Sequence, residues 1–128
     1  MREIKFRGMT EAGEWIYGGY VTRNNAHYIL DGKCDHVEID GREANILHFH
    51  IVKYKTVGEY TGLKDKNGKE EYQFDITRNK YGQIRHIDWY CGAWWLMFPD
   101  GRNDKPLYGS HSAQEVIGNI YENGDLIK

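Results

Sequence analysis

The sequence has few cysteines and prolines and no long hydrophobic run. Its two cysteines, Cys34 and Cys91, are too few for a disulfide-stapled secreted scaffold, and no CxxC pair of the kind common in zinc sites is present. Two prolines argue against a proline-rich disordered chain. No stretch approaches the apolar length of a membrane span, and MREIKFRGM lacks the apolar segment of a secretory signal. We therefore expect a cytoplasmic protein with free thiols and no membrane contact.

The chain also lacks a strong charge of either sign. Its formal net charge is −2 and its isoelectric point is about 6.3. Proteins that grip nucleic acid through many phosphates usually carry a basic surface, and a mimic of DNA would be strongly acidic. The overall charge therefore argues against both classes, although a local basic patch stays open.

What the chain does contain is alternation with a period of two residues, the pattern of half-buried strands. Aromatic residues make up 14% of the 128 residues, and fifteen glycines supply turn positions. The pattern predicts an all-β, mostly antiparallel fold, a barrel or sandwich, with short helical turns at most. We expect one domain over residues 1–128, with two small β units sharing a core as the alternative.

Turn-like residues separate the predicted strands into hairpins. The first pairs REIKFRGM with EWIYGGYV, and a second pairs residues 27–30 with 36–39 around DGKCD. In the segment ANILHFHIVKYK, Leu47, Phe49 and Ile51 alternate with His48, His50 and Val52, which predicts a strand over HFHIVKYK. A third hairpin pairs residues 81–89 with 93–98, and residues 99–112 are predicted to form a polar loop.

The stretch TGLKDKNGKE, residues 61–70, combines charges with a turn signal. It is not an EF-hand, because lysines fill the gaps between the oxygen-bearing residues, Gly68 comes too early, and the twelfth residue from Asp65 is Ile76 instead of a glutamate. It is not a phosphate loop either, because GxxxxGK[ST] is missing. Asn67-Gly68 instead predicts a hairpin with a type I′ turn.

Candidate chemistry is sparse. His27, Cys34, His36, His48 and His50 cluster in one third of the chain, but their spacing matches no closed zinc pattern. No GxSxG elbow or other nucleophile motif is present. We therefore predict no catalytic residue, no metal and no cofactor, and we expect the protein not to be an enzyme.

Aromatic and basic residues offer a binding hypothesis. Trp89-Tyr90 and Trp94-Trp95 alternate faces on their strands, so one ring of each pair is expected to point outward. Outward rings beside basic side chains could stack on bases or grip a peptide, whereas the alternative is that they only pack. The candidate binding residues are Arg78, Lys80, Arg85, Trp89, Trp94 and Trp95.

Three sequence blocks resemble the YopX family of phage and prophage proteins. They are MREIKFR at the start, YTGLKDKNGKEEYQFDI in the middle, and VIGNIYEN near the end. The resemblance implies a β-rich, SH3-like barrel and transfers no catalytic residue. It marks Gly62, Asp65, Gly68, Tyr72 and Asp75 as family-motif positions, with the two glycines at turns and Asp75 as a loop anchor. Phe74 replaces the family's usual glycine.

These observations lead to a binding protein of phage or prophage origin. We expect it to act in the bacterial host cytoplasm through a host or phage protein, with a homo-oligomer left open. The alternatives are a nucleic-acid-binding β-barrel module, and a small-molecule or metal binder built on the histidine-rich region.

Overall fold

A computed structural model describes residues 3–128, which form eleven β-strands and three short 3-10 helices. The 3-10 helices are Tyr54–Thr56, His111–Ala113 and Gly124–Ile127. The strands are β1 (Phe6–Met9), β2 (Trp15–Arg23), β3 (Ala26–Ile39), β4 (Arg42–Ile51), β5 (Gly58–Lys64), β6 (Glu70–Tyr72), β7 (Asp75–Arg78), β8 (Ile84–Tyr90), β9 (Ala93–Met97), β10 (Asn103–Pro106) and β11 (Glu115–Asn119).

Every strand pairing among the described residues is antiparallel, so the predicted all-β antiparallel class is confirmed. No strand order within residues 3–128 closes on itself, and the SH3-like barrel therefore stays a prediction. The same residues contain no helix with the length and apolar character needed to cross a bilayer.

Two compact units divide the described chain, Ile4–Glu59 and Tyr60–Lys128, with Glu3 counted in the second. We call them the N-terminal unit and the C-terminal unit. The expectation of one domain over residues 1–128 stays a prediction, and residues 1 and 2 of the predicted first hairpin lie outside the described residues.

The N-terminal unit is a meander in the order β4-β3-β2-β1, with the start of β5 paired to β1. Its first hairpin, β1 with β2, is the one predicted. Two further turns have both central residues at positive φ, as type I′ hairpins require. They are Asn24-Asn25, at 52° and 66°, and Asp40-Gly41, at 52° and 75°.

The predicted hairpin around DGKCD is wrong, because β3 runs through this segment without reversing. The register with β4 shifts between Leu30 and Cys34, and Gly32 has φ of 83°. Asp31 stabilises the irregular segment by accepting a hydrogen bond from the Lys33 backbone N–H at 2.8 Å. The polar residues therefore form a bulge in a long strand, since a bulge absorbs extra residues while pairing continues on both sides.

The C-terminal unit contains a sheet in the order β10-β9-β8-β7-β11. The predicted hairpin of residues 81–98 is confirmed as β8 and β9, joined by Cys91-Gly92 at φ of 47° and 82°. Its core contains four buried side chains, with Leu63 packed against them: Ile87, Trp94, Leu96 and Leu107. The predicted loop 99–112 is only partly a loop, because Asn103–Pro106 pairs with β9 and Leu107 is fully buried.

TGLKDKNGKE does form the predicted hairpin, between β5 and β6, but its turn is not type I′. Of Asn67 and Gly68, only Gly68 has positive φ, at 81°. The Gly68 N–H donates to the Asp65 carbonyl at 3.0 Å, and the Asp65 N–H donates to the Lys69 carbonyl at 2.8 Å. This is the longer hairpin connection in which glycine follows a turn, and glycine is needed there because a side chain would be strained.

Candidate functional site

The predicted basic residues do not share one surface. Thr77 pairs with Arg85, and Arg78 pairs with Ile84, so the two arginines point to opposite faces of the β7–β8 ladder. The Arg85 side chain makes contacts inside the protein: its Nε lies 2.7 Å from Asp104 Oδ2 and its guanidinium lies over the Phe98 ring. Arg78 faces Glu115 at 3.5 Å, and Lys80 lies over the Tyr81 ring.

The tryptophans divide between core and surface. Trp89 and Trp94 face each other across the β8–β9 hairpin with ring centroids 4.9 Å apart. Trp94 is buried in the core, whereas 48% of Trp89 is exposed. Trp95 is half-buried and its ring meets Tyr90 edge to face. Trp89 and Tyr90 are thus the exposed rings, and Trp94 acts in packing.

The family-motif aspartate Asp65 holds two segments together. Its Oδ1 accepts hydrogen bonds from the backbone N–H groups of Asn67 and Lys69, at 2.8 and 2.9 Å. Its Oδ2 accepts one from Val116 N–H on β11, at 2.9 Å. Burial alone would raise the pKa of Asp65, but these three donors outweigh it and keep the pKa below its usual value. Asp65 is therefore a structural carboxylate.

The other motif positions are structural as well. Asp75 begins β7 and accepts a hydrogen bond from Tyr72 N–H at 2.8 Å, which fits the predicted loop anchor. Tyr72 is buried, and its ring packs against Tyr60. Gly62, at φ of 85°, lies within β5 where the register with β6 shifts, so it marks a bulge and not a turn.

Glu71 on β6 is a buried acid, and no basic side chain within residues 3–128 forms an ion pair with it. It is fully buried, and neither carboxyl oxygen has a hydrogen-bond partner within residues 3–128. Burial raises the pKa of Glu71 to about 8, and the negative charges of Asp65 and Asp75 add to the effect. The side chain is therefore mostly protonated at neutral pH.

The histidine-rich region forms separate pairs instead of a cluster. His48 Nε2 lies 2.9 Å from Asp35 Oδ2, and His50 Nε2 lies 2.8 Å from Asp31 Oδ2. In the part of the chain that the structure describes, no group of three or more His, Cys, Asp or Glu side chains could hold a metal ion. The geometry thus gives the metal-binding alternative no support.

An apolar surface covers one face of strands β2, β3 and β4. The pairings Val21–Tyr28–Ile51 and Leu30–Phe49 place these five side chains on one face, and Leu47 follows by alternation. The exposed fractions of Leu47, Phe49 and Ile51 are 50%, 52% and 62%. The opposite face carries Ile29, which is fully buried. We call the outer surface the apolar face: Val21, Tyr28, Leu30, Leu47, Phe49 and Ile51.

A second feature lies in the C-terminal unit, where three loops and strand β10 line a cavity of about 380 Å³. Its lining includes Lys66, Lys80 and Lys105 together with Tyr81, Ser110 and Gln114. We call it the lysine pocket. Of the predicted binding residues only Lys80 lines it, because the pocket depends on loops that lie far apart in sequence.

Comparison with known proteins identifies the family. The family model described as "YopX protein" matches residues 5–128. The chain belongs to the YopX family. A solved structure, "Crystal structure of protein EF1440 from Enterococcus faecalis", aligns over 100% of both chains with a TM-score of 0.67 and 22% identity. At that identity the likeness shows the fold alone. A search of the curated proteins found no match.

In this YopX-family chain the recognisable blocks meet in space. The central block supplies Asp65, and the block VIGNIYEN supplies Val116, which donates to it. The Lys66 N–H also donates to the Gln114 carbonyl at 2.9 Å, directly before the second block. The central and last blocks therefore hold parts of the C-terminal unit together, whereas the residues of the apolar face lie outside all three blocks.

Proposed function

We propose that this YopX-family protein is a binding module whose apolar face docks onto a partner protein. The supporting observation is the exposure of Leu47, Phe49 and Ile51 on the outer side of the β2–β4 sheet. An antiparallel sheet with one face on a core normally presents polar residues on the other. Here the outer face is apolar, and contiguous apolar patches of this kind mark interaction sites.

The energetics favour a protein partner. Burying one large aliphatic or aromatic side chain contributes roughly 1.5–3 kcal/mol, so three half-exposed side chains can supply the centre of an interface. In the order β4-β3-β2-β1 the strand that carries these three side chains, β4, is the edge strand. A second copy of the chain could cover the same face, so a homo-oligomer is one possible outcome of the test.

The setting remains part of the proposal. We propose a phage- or prophage-encoded protein with an SH3-like barrel character that works in the bacterial cytoplasm, without catalysis and without a cofactor. Its partner is a host or phage protein. The structure supports the nucleic-acid alternative less well. Its candidate residues, Arg78, Lys80, Arg85 and Trp89, do not form one site, because the two arginines point to opposite faces and are ion-paired.

Affinity capture from infected cells tests the proposal. The wild type, the double variant Phe49→Lys with Ile51→Lys, and the control Leu126→Lys are used as bait. Leu126 is 43% exposed and belongs to the C-terminal unit, so this control also replaces an exposed apolar side chain by lysine, but outside the unit that carries the apolar face. We expect the wild type and the control to retain the same protein and the double variant to lose it. A partner retained by the double variant, or no specific partner for the wild type, would contradict the proposal.

A further inference from the structure

We propose that the lysine pocket of the C-terminal unit binds the phosphate group of a nucleotide, either free or within a single strand. The pocket's volume of about 380 Å³ falls within the range of ligand sites, roughly 300–1,000 Å³. It lies in a different unit from the apolar face, so the two proposals are independent.

The charges around the pocket favour an anion. Lys66, Lys80 and Lys105 line it, and none of its lining residues is acidic. Lys66 Nζ lies 3.8 Å from Glu115 Oε2, which also lies 3.5 Å from Arg78, so one carboxylate faces two cations. Within residues 3–128, Lys80 and Lys105 form no ion pair. A phosphate would supply the missing negative charge.

Hydrogen bonds hold the backbone of the loops that line the pocket. The Asn79 side chain accepts hydrogen bonds from the backbone N–H groups of Tyr81 and Gln83, each at 3.0 Å, and so closes the β7–β8 loop. The Ser110 N–H donates to the Leu107 carbonyl at 2.9 Å, and Lys66 N–H binds the Gln114 carbonyl. A preformed site loses little conformational freedom on binding, which favours affinity.

Exposed rings beside the lysines point to a nucleotide rather than to a bare anion. Tyr81 lines the pocket and is 75% exposed. Lys80 Nζ lies 5.1 Å from the centre of its ring, which leaves the other ring face for a base. Tyr108, 81% exposed, directly precedes the lining residue Gly109. Proteins that bind single strands usually combine basic side chains along the nucleic-acid backbone with aromatic rings that stack on the bases.

Fluorescence anisotropy with a labelled single-stranded oligonucleotide at low salt tests the site. We expect Lys80→Gln with Lys105→Gln to weaken binding by about tenfold and to reduce its salt dependence, because two phosphate contacts are lost. The matched control, Lys33→Gln with Lys53→Gln, removes two exposed lysines from the N-terminal unit and should leave affinity unchanged. Tyr81→Ala should weaken the oligonucleotide but not inorganic phosphate.

Competition separates the sources of the phosphate. A mononucleotide that displaces the oligonucleotide at similar concentration indicates a free nucleotide, and much weaker displacement indicates a single strand. The proposal is overturned if neither ligand binds at low salt, or if the pocket variant and the control lose affinity equally. It is also overturned if inorganic phosphate competes as well as the mononucleotide and Tyr81→Ala has no effect. The Phe49→Lys, Ile51→Lys protein should bind normally, so failure here is distinct from failure at the apolar face.

Discussion

The Asp65 carboxylate accepts a hydrogen bond from the backbone N–H of Val116 at 2.9 Å, across 51 residues of sequence. The same carboxylate closes its own turn through the N–H groups of Asn67 and Lys69. One buried side chain thus fixes the β5–β6 hairpin and attaches it to β11.

Replacing Asp65 by alanine should destabilise the protein strongly. Three backbone donors would lose a charged acceptor, and hydrogen bonds to charged groups contribute about 1.5–3 kcal/mol each, although such losses are rarely additive. We expect the free energy of unfolding to fall by about 3–5 kcal/mol in urea titrations. Asp125→Ala, whose side chain is almost fully exposed, is the control and should change it by less than about 0.5 kcal/mol. Equal stability of both variants would show that Asp65 does not stabilise the attachment of the β5–β6 hairpin to β11.

Replacing Glu71 by glutamine should remove a pH dependence of stability. The folded-state pKa of about 8 lies above the ordinary value of 4.5, so the folded protein binds the extra proton between these values. The stabilisation from this proton is complete below pH 4.5 and is lost as pH rises through 8. The free energy of unfolding of the wild type should therefore fall between pH 5 and pH 9, whereas that of Glu71→Gln should not fall for this reason. We expect the difference between the two proteins to shift by about 2–4 kcal/mol in favour of Glu71→Gln, measured by denaturation at each pH. A constant difference would exclude the raised pKa.

At Phe74 we expect a glycine variant to be more stable than an alanine variant, the reverse of the usual order within a strand. Phe74 has φ of 75°, where the family pattern has glycine, and its ring packs edge to face on Tyr121. Both Phe74→Gly and Phe74→Ala remove the ring, but only alanine retains the strain. The glycine variant should therefore be more stable by about 1 kcal/mol in thermal unfolding.

The strand residue Phe49, which has no positive φ, is the matched control for this comparison. There alanine should be the more stable replacement, by about 0.5–1 kcal/mol, because glycine loses more backbone entropy on folding. The same order at both positions would contradict the account of strain at Phe74.

Sequence patterning predicted the strands well where alternation was regular, and it failed where backbone geometry decided. Asn67-Gly68 was expected to form a type I′ turn, yet this conformation occurs at Asn24-Asn25, Asp40-Gly41 and Cys91-Gly92. The Asp65 side chain occupies two N–H groups of the loop and selects a different turn. DGKCD was expected to reverse the chain, but pairing with β4 on both sides makes it a bulge.

The candidate sites were harder to predict, because they depend on which strand face is exposed. Alternation placed Leu47, Phe49 and Ile51 together but gave no sign that their face is the outer one. The lysine pocket joins Lys66 to Lys105 across the fold, which no local pattern contains. Alternation predicted that one ring of each aromatic pair points outward without saying which. In the structure both Trp89 and Tyr90 are about half exposed, whereas Trp94 is in the core.

The most direct measurement of the central claim is site-specific photo-crosslinking in infected cells. A photoreactive phenylalanine analogue replaces Phe49 on the apolar face or, as the control, Tyr90 in the C-terminal unit, which is also about half exposed, at 47%. The account predicts a discrete cross-linked protein from position 49 and none from position 90. Cross-links of the same partner from position 90 with none from position 49 would contradict it, and a cross-linked product containing two copies of the chain alone would make the apolar face a dimer interface.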